Sequence, residues 1–256
     1  MKNINLFFVG TAGCGKTSLC YAFQRWMNGE GLDVVLVNLD PGAEKLPYTP
    51  EIDIREWVSL TDIMQKHNLG PNGAQIACAD LLVFNIERVK KLIDEYKSNY
   101  VIIDTPGQTE LFTFRHASTR IIQTLGVDNS ALIFLADPFI AQTPSGFVSE
   151  LLLASTIQFR FQLPILNILS KSDMVEQEVL DSILDWSSDL LKLEEGLMTE
   201  TPQLTGHLNL GILQLLQEQE VYQSLVTTSA ETGLGMEDIY SFVQQIFEGG
   251  EDLQPD

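Results

Sequence analysis

Gly10-Thr-Ala-Gly-Cys-Gly-Lys-Thr17 is the stretch with the clearest chemical potential. Its glycines let the backbone approach phosphate oxygens closely, and a helix beginning at its end aims N–H groups at an anion. Lys16 supplies a focused cation for the terminal phosphates, and the Thr17 hydroxyl is a ligand for Mg²⁺. Gly10, Gly13, Cys14, Gly15 and Ser18 complete the expected phosphate-contacting set. An isolated glycine-lysine turn would say little, so the flanks decide. Leu6 to Val9 is an apolar β-rich run and a helical pattern continues to about Met27, which is the strand, loop, helix order that a phosphate loop needs.

Further candidates follow other apolar runs. Asp104 ends Val101-Ile-Ile103 and opens Thr105-Pro106-Gly107, where a carboxylate holds Mg²⁺ through water and the Gly107 backbone approaches the terminal phosphate. Asp40, after Val34 to Leu39, is a second carboxylate for the metal or its water shell; the plainer alternative for both aspartates is a helix cap or a turn. Ser170-Lys-Ser-Asp173 follows another run. There Asp173 accepts hydrogen bonds from a guanine N–H and exocyclic amine, a donor pair that adenine lacks, while the stem of Lys171 covers the ring. Thr228-Ser229-Ala230 offers a backbone donor to the guanine carbonyl.

These residues need a scaffold that brings strand ends to one rim. Leu6 to Val9, Val34 to Leu39, Val101 to Ile103, Ala131 to Ala136, Ile165 to Leu169 and Leu225 to Thr228 read as buried strands separated by helix-length segments, with Met236 to Phe247 as a closing helix. The fold class is α/β, a predominantly parallel sheet flanked by helices, in which functional loops lie beyond the carboxyl ends of the strands. We expect one domain over 1–248, with an insertion at about 41–75, a helical elaboration at about 174–223, and an acidic flexible tail at 249–256.

The 256 residues carry 35 Asp and Glu against 15 Lys and Arg, a formal charge of −20, so the far field repels nucleic acid and anionic membrane. Neither is expected as a direct partner. The 45% apolar content, gathered in short blocks, excludes an acidic disordered chain. Cys14, Cys20 and Cys78 form no C-x-x-C pair, and no apolar run reaches membrane-spanning length, which points to a cytoplasmic protein. Trp26, Trp57 and Trp186 are read as packing residues.

With these residues in order, the chain closely resembles the GPN-loop GTPases, dimeric nucleotide switches related to the signal-recognition and MinD-like P-loop NTPases. The resemblance rests on Val37-Asn-Leu-Asp-Pro-Gly42, Asp53-Ile-Arg55, Leu69-Gly-Pro-Asn-Gly73, Asp104-Thr-Pro-Gly-Gln108 and Ser170-Lys-Ser-Asp173, and extends over nearly the whole chain. It implies an archaeal-type member that hydrolyses GTP to GDP and phosphate with Mg²⁺ as cofactor, working as a homodimer. It also implies that Gly70, Pro71 and Asn72 act on the partner subunit's nucleotide, Asn72 placing an amide donor near the transferring phosphoryl group. Read alone, Gly-Pro-Asn is a surface turn. Gln108 is a candidate for orienting water or for bracing its segment, and Arg55 for contacting nucleotide or fixing the preceding segment. Two departures stand out: Ala74-Gln-Ile-Ala-Cys-Ala79 replaces a second glycine and bulkier residues, and Ser170 stands where many GTPases have asparagine.

Two other functions share much of this pattern. A nickel-enzyme maturation GTPase would need soft ligands, yet His67, His116 and His207 are isolated in sequence. A nucleotide-controlled, non-catalytic assembly scaffold would hold a protein client on the 174–223 region. Eukaryotic members of the resembling family are associated with assembly or nuclear import of RNA polymerase, which makes a client in macromolecular assembly an expectation here.

Overall fold

A computed structural model describes residues 3–200, 211–213 and 225–249. The Thr201-Pro202 break, His207 and most of the expected acidic tail lie outside the described residues.

Seven parallel strands form one sheet: β1 (Ile4–Gly10), β2 (Val34–Asn38), β3 (Ile52–Asp53), β4 (Tyr100–Asp104), β5 (Ser130–Ala136), β6 (Ile165–Leu169) and β7 (Val226–Thr227), in the order β3-β2-β4-β1-β5-β6-β7. β1, β4 and β5 are buried throughout, as a parallel sheet covered on both faces requires. Alternation then sorts their side chains. Phe7, Val9, Val101, Ile103, Leu132 and Phe134 enter one core, while Leu6, Phe8, Ile102, Ala131, Ile133 and Leu135 enter the other.

The second of these cores is covered by α1 (Lys16–Gly29) and by α10 (Met236–Phe247), through Leu19, Phe23 and Met27 and through Ile239 and Val243. Trp26 packs here, stacked on Phe23 and tilted against Tyr240. The opposite face carries α2 (Leu60–His67), α3 (Pro71–Tyr96), α4 (Thr109–Thr113), α5 (His116–Leu125), α6 (Pro138–Ala141), α7 (Pro144–Phe161), α8 (Gln177–Ser188) and α9 (Leu190–Glu200).

Two features depart from the sequence reading. The stretch taken as an insertion contributes β3 to the sheet edge, a two-residue strand too short to produce an alternation signal. Gly-Pro-Asn, expected as a turn or loop, is the opening of the 26-residue helix α3. Gly70 is the residue before the helix and Pro71 occupies the first helical position, where the missing N–H costs nothing. The helix is held by a buried stripe, Ala74, Cys78, Leu82, Ile86, Val89 and Ile93, at the three- and four-residue spacing of one helical face.

Candidate nucleotide site

The loop between β1 and α1 is shaped by glycine. A Cβ on Gly10 would stand 2.6 Å from the Leu135 carbonyl oxygen, and Gly15 has φ 101°, a conformation that side-chain-bearing residues rarely adopt. Lys16 is 5% exposed, and its ammonium donates to the carbonyls of Gly10 at 2.7 Å, Thr11 at 2.9 Å and Gly107 at 3.2 Å. Thr109 also donates its hydroxyl to the Gly10 carbonyl. Thr17 and Ser18 open α1, Thr17 half-buried and Ser18 exposed. Burial raises the Cys14 thiol above its ordinary value, so this cysteine stays protonated and serves the loop through its backbone.

Asp104 ends β4 beside this loop and is 1% exposed. Burial raises its carboxyl to about 6, a shift opposed by hydrogen bonds from Tyr48 and Thr17 and reinforced by the nearby charge of Asp40. The Tyr48 hydroxyl donates to Oδ2 at 2.8 Å, whereas Oδ1 is buried with no hydrogen-bond partner. A hydroxyl paired with a carboxylate that keeps one unsatisfied oxygen fits a Mg²⁺ held by Thr17 and, through water, by Asp104. Tyr48 was not singled out from the sequence. It lies in a Pro-rich stretch, and only the fold brings it to Asp104, 56 positions away.

Asp40, read either as a carboxylate for the metal or its water shell or as a turn former, makes a turn here. Its Oδ1 accepts from the Gly42 N–H at 2.8 Å and its Oδ2 from the Gly107 N–H at 3.1 Å, so both oxygens clamp the segment after β2 to the segment after β4. The Gly107 N–H, expected to face phosphate, is engaged in this clamp. Arg55 resolves toward the structural option: it pairs with Asp53 at 2.6 Å and donates to the Ala43 carbonyl at 2.8 Å, while Asn38 holds the same Asp53 at 2.9 Å. The blocks around Asn38 to Gly42 and Asp53 to Arg55 are therefore one hydrogen-bonded unit.

The base end is built from the loops after β6 and β7. Lys171 has φ 50°, and its Cε lies 3.4 Å from where a Cβ on Gly15 would stand, so its stem crosses the phosphate loop. Its ammonium donates to the Gly13 carbonyl and pairs with Asp137 at 3.7 Å. Asp173 is exposed on the short 3₁₀ turn Ser172–Met174. Ser172 joins the two loops, its N–H and hydroxyl both donating to the Thr228 carbonyl at 3.1 Å. Ser229 is 1% exposed and its N–H already donates to the Leu234 carbonyl, which leaves Ala230 as the backbone donor of that pair.

A cavity of about 220 Å³ opens between these parts, lined by Ala12, Asp40, Gly107 and Gln108 and, from α3, by Gln75 and Ala79. Gln108 thus lines the cavity beside Gly107. Gly70, Pro71 and Asn72 are exposed at the start of α3. Among the described residues no group of three or more His, Cys, Asp and Glu side chains is placed to hold a metal ion, and no helix is long and apolar enough to cross a membrane.

A parallel sheet with a glycine-rich loop after β1 and a buried aspartate ending the neighbouring β4 defines a P-loop NTPase fold. Residues 8–249 match the family model described as a conserved hypothetical ATP-binding protein, and the chain is 31% identical to GPN-loop GTPase 3 of Eremothecium gossypii, covering all of this chain and 96% of that protein. The chain belongs to the GPN-loop GTPase family and is by that membership a GTPase. It is also 30% identical to GPN-loop GTPase 1 of Dictyostelium discoideum over 93% of its length, spanning 60% of that longer relative. The crystal structure of a GTPase in apo form from Pyrococcus abyssi superposes with a TM-score of 0.88 at 30% identity, covering 97% of this chain and 99% of that one.

Proposed function

We propose that the chain hydrolyses GTP to GDP and phosphate as a homodimeric switch, with the Gly70-Pro71-Asn72 turn of one subunit completing the nucleotide site of the other. The observation that carries the cross-subunit role is the setting of the turn. Asn72 is exposed, Gly70 has an ordinary φ of −72°, and a Cβ on Gly70 would meet nothing within 4 Å. Among the described residues nothing requires glycine there, and the open space beside Gly70 leaves room for close backbone approach by a second subunit. The same helix exposes Ile76, Leu81 and Phe84, and Phe84 is 80% exposed; buried against a second copy, Phe84 contributes about 1.5–3 kcal/mol and the part-exposed Ile76 and Leu81 less.

Within one subunit, Lys16 neutralises charge on the terminal phosphates once its carbonyl partners yield to phosphate oxygens. Mg²⁺, when bound, would supply further charge compensation. Thr17 and the free Oδ1 of Asp104 would hold it, while Tyr48 holds Asp104 in place and Asp40 keeps the two flanking segments together. Asp173 selects guanine over adenine while Lys171 covers the base, which favours GTP despite the ATP wording of the matching family model.

An archaeal-type member is part of this proposal, the Pyrococcus abyssi and Eremothecium gossypii proteins being matched alike in coverage and identity. Exposed Met174, Leu191 and Met198 support a protein client on the helical elaboration, with assembly of a large complex such as RNA polymerase as its setting. Buried free cysteines are consistent with the cytoplasm.

The deciding experiment is a mixed dimer of a Lys16→Ala subunit with an Asn72→Ala subunit. Action across the interface gives one pocket with both residues intact and one lacking both. Single-turnover GTP cleavage should recover toward about half of the wild-type amplitude, as one pre-organised site of two predicts. No recovery, with mixed dimers and GTP binding verified, rejects action in trans.

A further inference from the structure

We infer that Gln75 positions the attacking water in its own subunit, an assignment that rests on the GTPase reading above and adds to it a residue acting in cis. Gln75 stands one turn into α3, four positions after Pro71, and lines the cavity between the phosphate loop and the segments after β2 and β4. Its Nε2 lies 4.0 Å from where a Cβ on Gly42 would stand, which brings the amide to the segment clamped by Asp40. Its Oε1 is buried and has no hydrogen-bond partner.

A buried amide oxygen without a donor is costly, and in a cavity that Asp40 and Gln108 also border the donor at hand is water. The cavity of about 220 Å³ has room for several waters and is bordered by Ala12 and by Gly107, whose carbonyl accepts from the Lys16 ammonium. A water donating one O–H to Gln75 Oε1 keeps a lone pair for the phosphorus. The water oxygen then bonds to the γ-phosphorus, and the bond to the β–γ bridging oxygen breaks with its electron pair leaving on GDP. The water's proton passes to the released phosphate, and Gln75 remains neutral throughout.

Gln108 lines the same cavity from the segment between β4 and α4. Gln75 differs in being carried by a helix whose next turns are locked by Ala74, Cys78 and Leu82, so its amide is pre-organised. It is also the polar member of the pair that α3 sends into the cavity, Ala79 being the other. Gly70 to Asn72 stand less than two helical turns before it, so a contact that fixes the start of α3 bears on Gln75 as well. One helix would then serve two active sites, its exposed first residues the partner's and Gln75 its own.

The test uses the full chain with Gln75→Met, which keeps length but removes the acceptor, and Gln75→Glu, which keeps an acceptor oxygen. Single-turnover GTP cleavage and affinity for a non-hydrolysable GTP analogue are measured for each. Cleavage by the Met variant should fall about 10- to 100-fold with analogue affinity within about twofold of wild type, and the Glu variant should cleave faster than the Met variant. Wild-type cleavage in the Met variant overturns the assignment. So does a parallel loss of affinity and cleavage in both variants, the mark of a merely structural residue. If the wild-type protein itself binds the analogue yet cleaves no GTP, the GTPase reading fails first and the water-positioning role with it.

Discussion

The phosphate loop and the start of α3 border one cleft under opposite constraints. Lys16 is 5% exposed with three backbone carbonyls around its ammonium, and Gly10 is pressed against Leu135. Pro71 and Asn72 are exposed, no side chain caps the helix that they begin, and Gly70 has open space where a Cβ would be. The first region is fixed by its own chain; the second has the geometry of a part that awaits another surface. In the dimer proposed above, a site built this way would keep nucleotide capture local and make catalysis depend on assembly.

The largest effect should come from breaking the fixed side. Lys16→Ala removes the focused cation and should lower GTP cleavage on the order of 10²–10³-fold, at any protein concentration, with the circular dichroism spectrum unchanged. Retained cleavage in a folded variant would remove Lys16 from the chemistry. Asn72→Ala probes the other side: cleavage should fall roughly 10- to 100-fold while GTP affinity, measured with a fluorescent analogue, changes little. A loss of affinity equal to the loss of rate would place Asn72 in ordinary binding and erase the contrast.

The base end sharpens the comparison, since it is fixed by this chain yet leaves its selecting group exposed. Asp173→Asn should reduce the preference for GTP over ATP about tenfold or more, with smaller change in the contribution of the phosphates. Competition binding with both nucleotides tests this, and an unchanged preference would move selectivity elsewhere.

The smallest effect concerns Glu150, 3% exposed on α7 near Asp137. Burial, with the Asp137 charge, raises its carboxyl to about 7, while the Asp137 backbone N–H partly offsets the shift. Its pKa in the unfolded chain is near the ordinary 4.5, so the folded state binds more protons between those values and stability falls as pH rises through that window. Glu150→Gln removes the charge and should stabilise the fold by about 2 kcal/mol at pH 8, a few degrees in melting midpoint, with little gain at pH 5. Thermal melts at both pH values provide the check, and an equal shift at the two would deny the proton linkage.

Much of the phosphate side was legible because its determinants are local. Strand, glycine-rich loop and helix are contiguous, and an apolar run ending in Asp104 places a carboxylate at a strand end whatever its neighbours are. The alternation that divides β1, β4 and β5 between two cores is likewise written along each strand. Gly-Pro-Asn misled as a turn because proline and glycine punctuate turns and helix starts alike; only the buried stripe from Ala74 to Ile93, which needs the sheet beneath it, decides for helix.

What the sequence by itself determined was therefore six of the seven strands, the phosphate loop and the rim on which Asp104, Lys171 and Asp173 sit, since each follows from the periodicity and residue types of one segment. The tertiary structure alone decided the pairings between segments: Tyr48 on Asp104, Asp40 bridging Gly42 and Gly107, Arg55 on Asp53 and Ala43, and Gln75 in the cleft. Hydrogen bonds and burial depend on distances between residues far apart in the chain, and those distances exist only once the layers have packed.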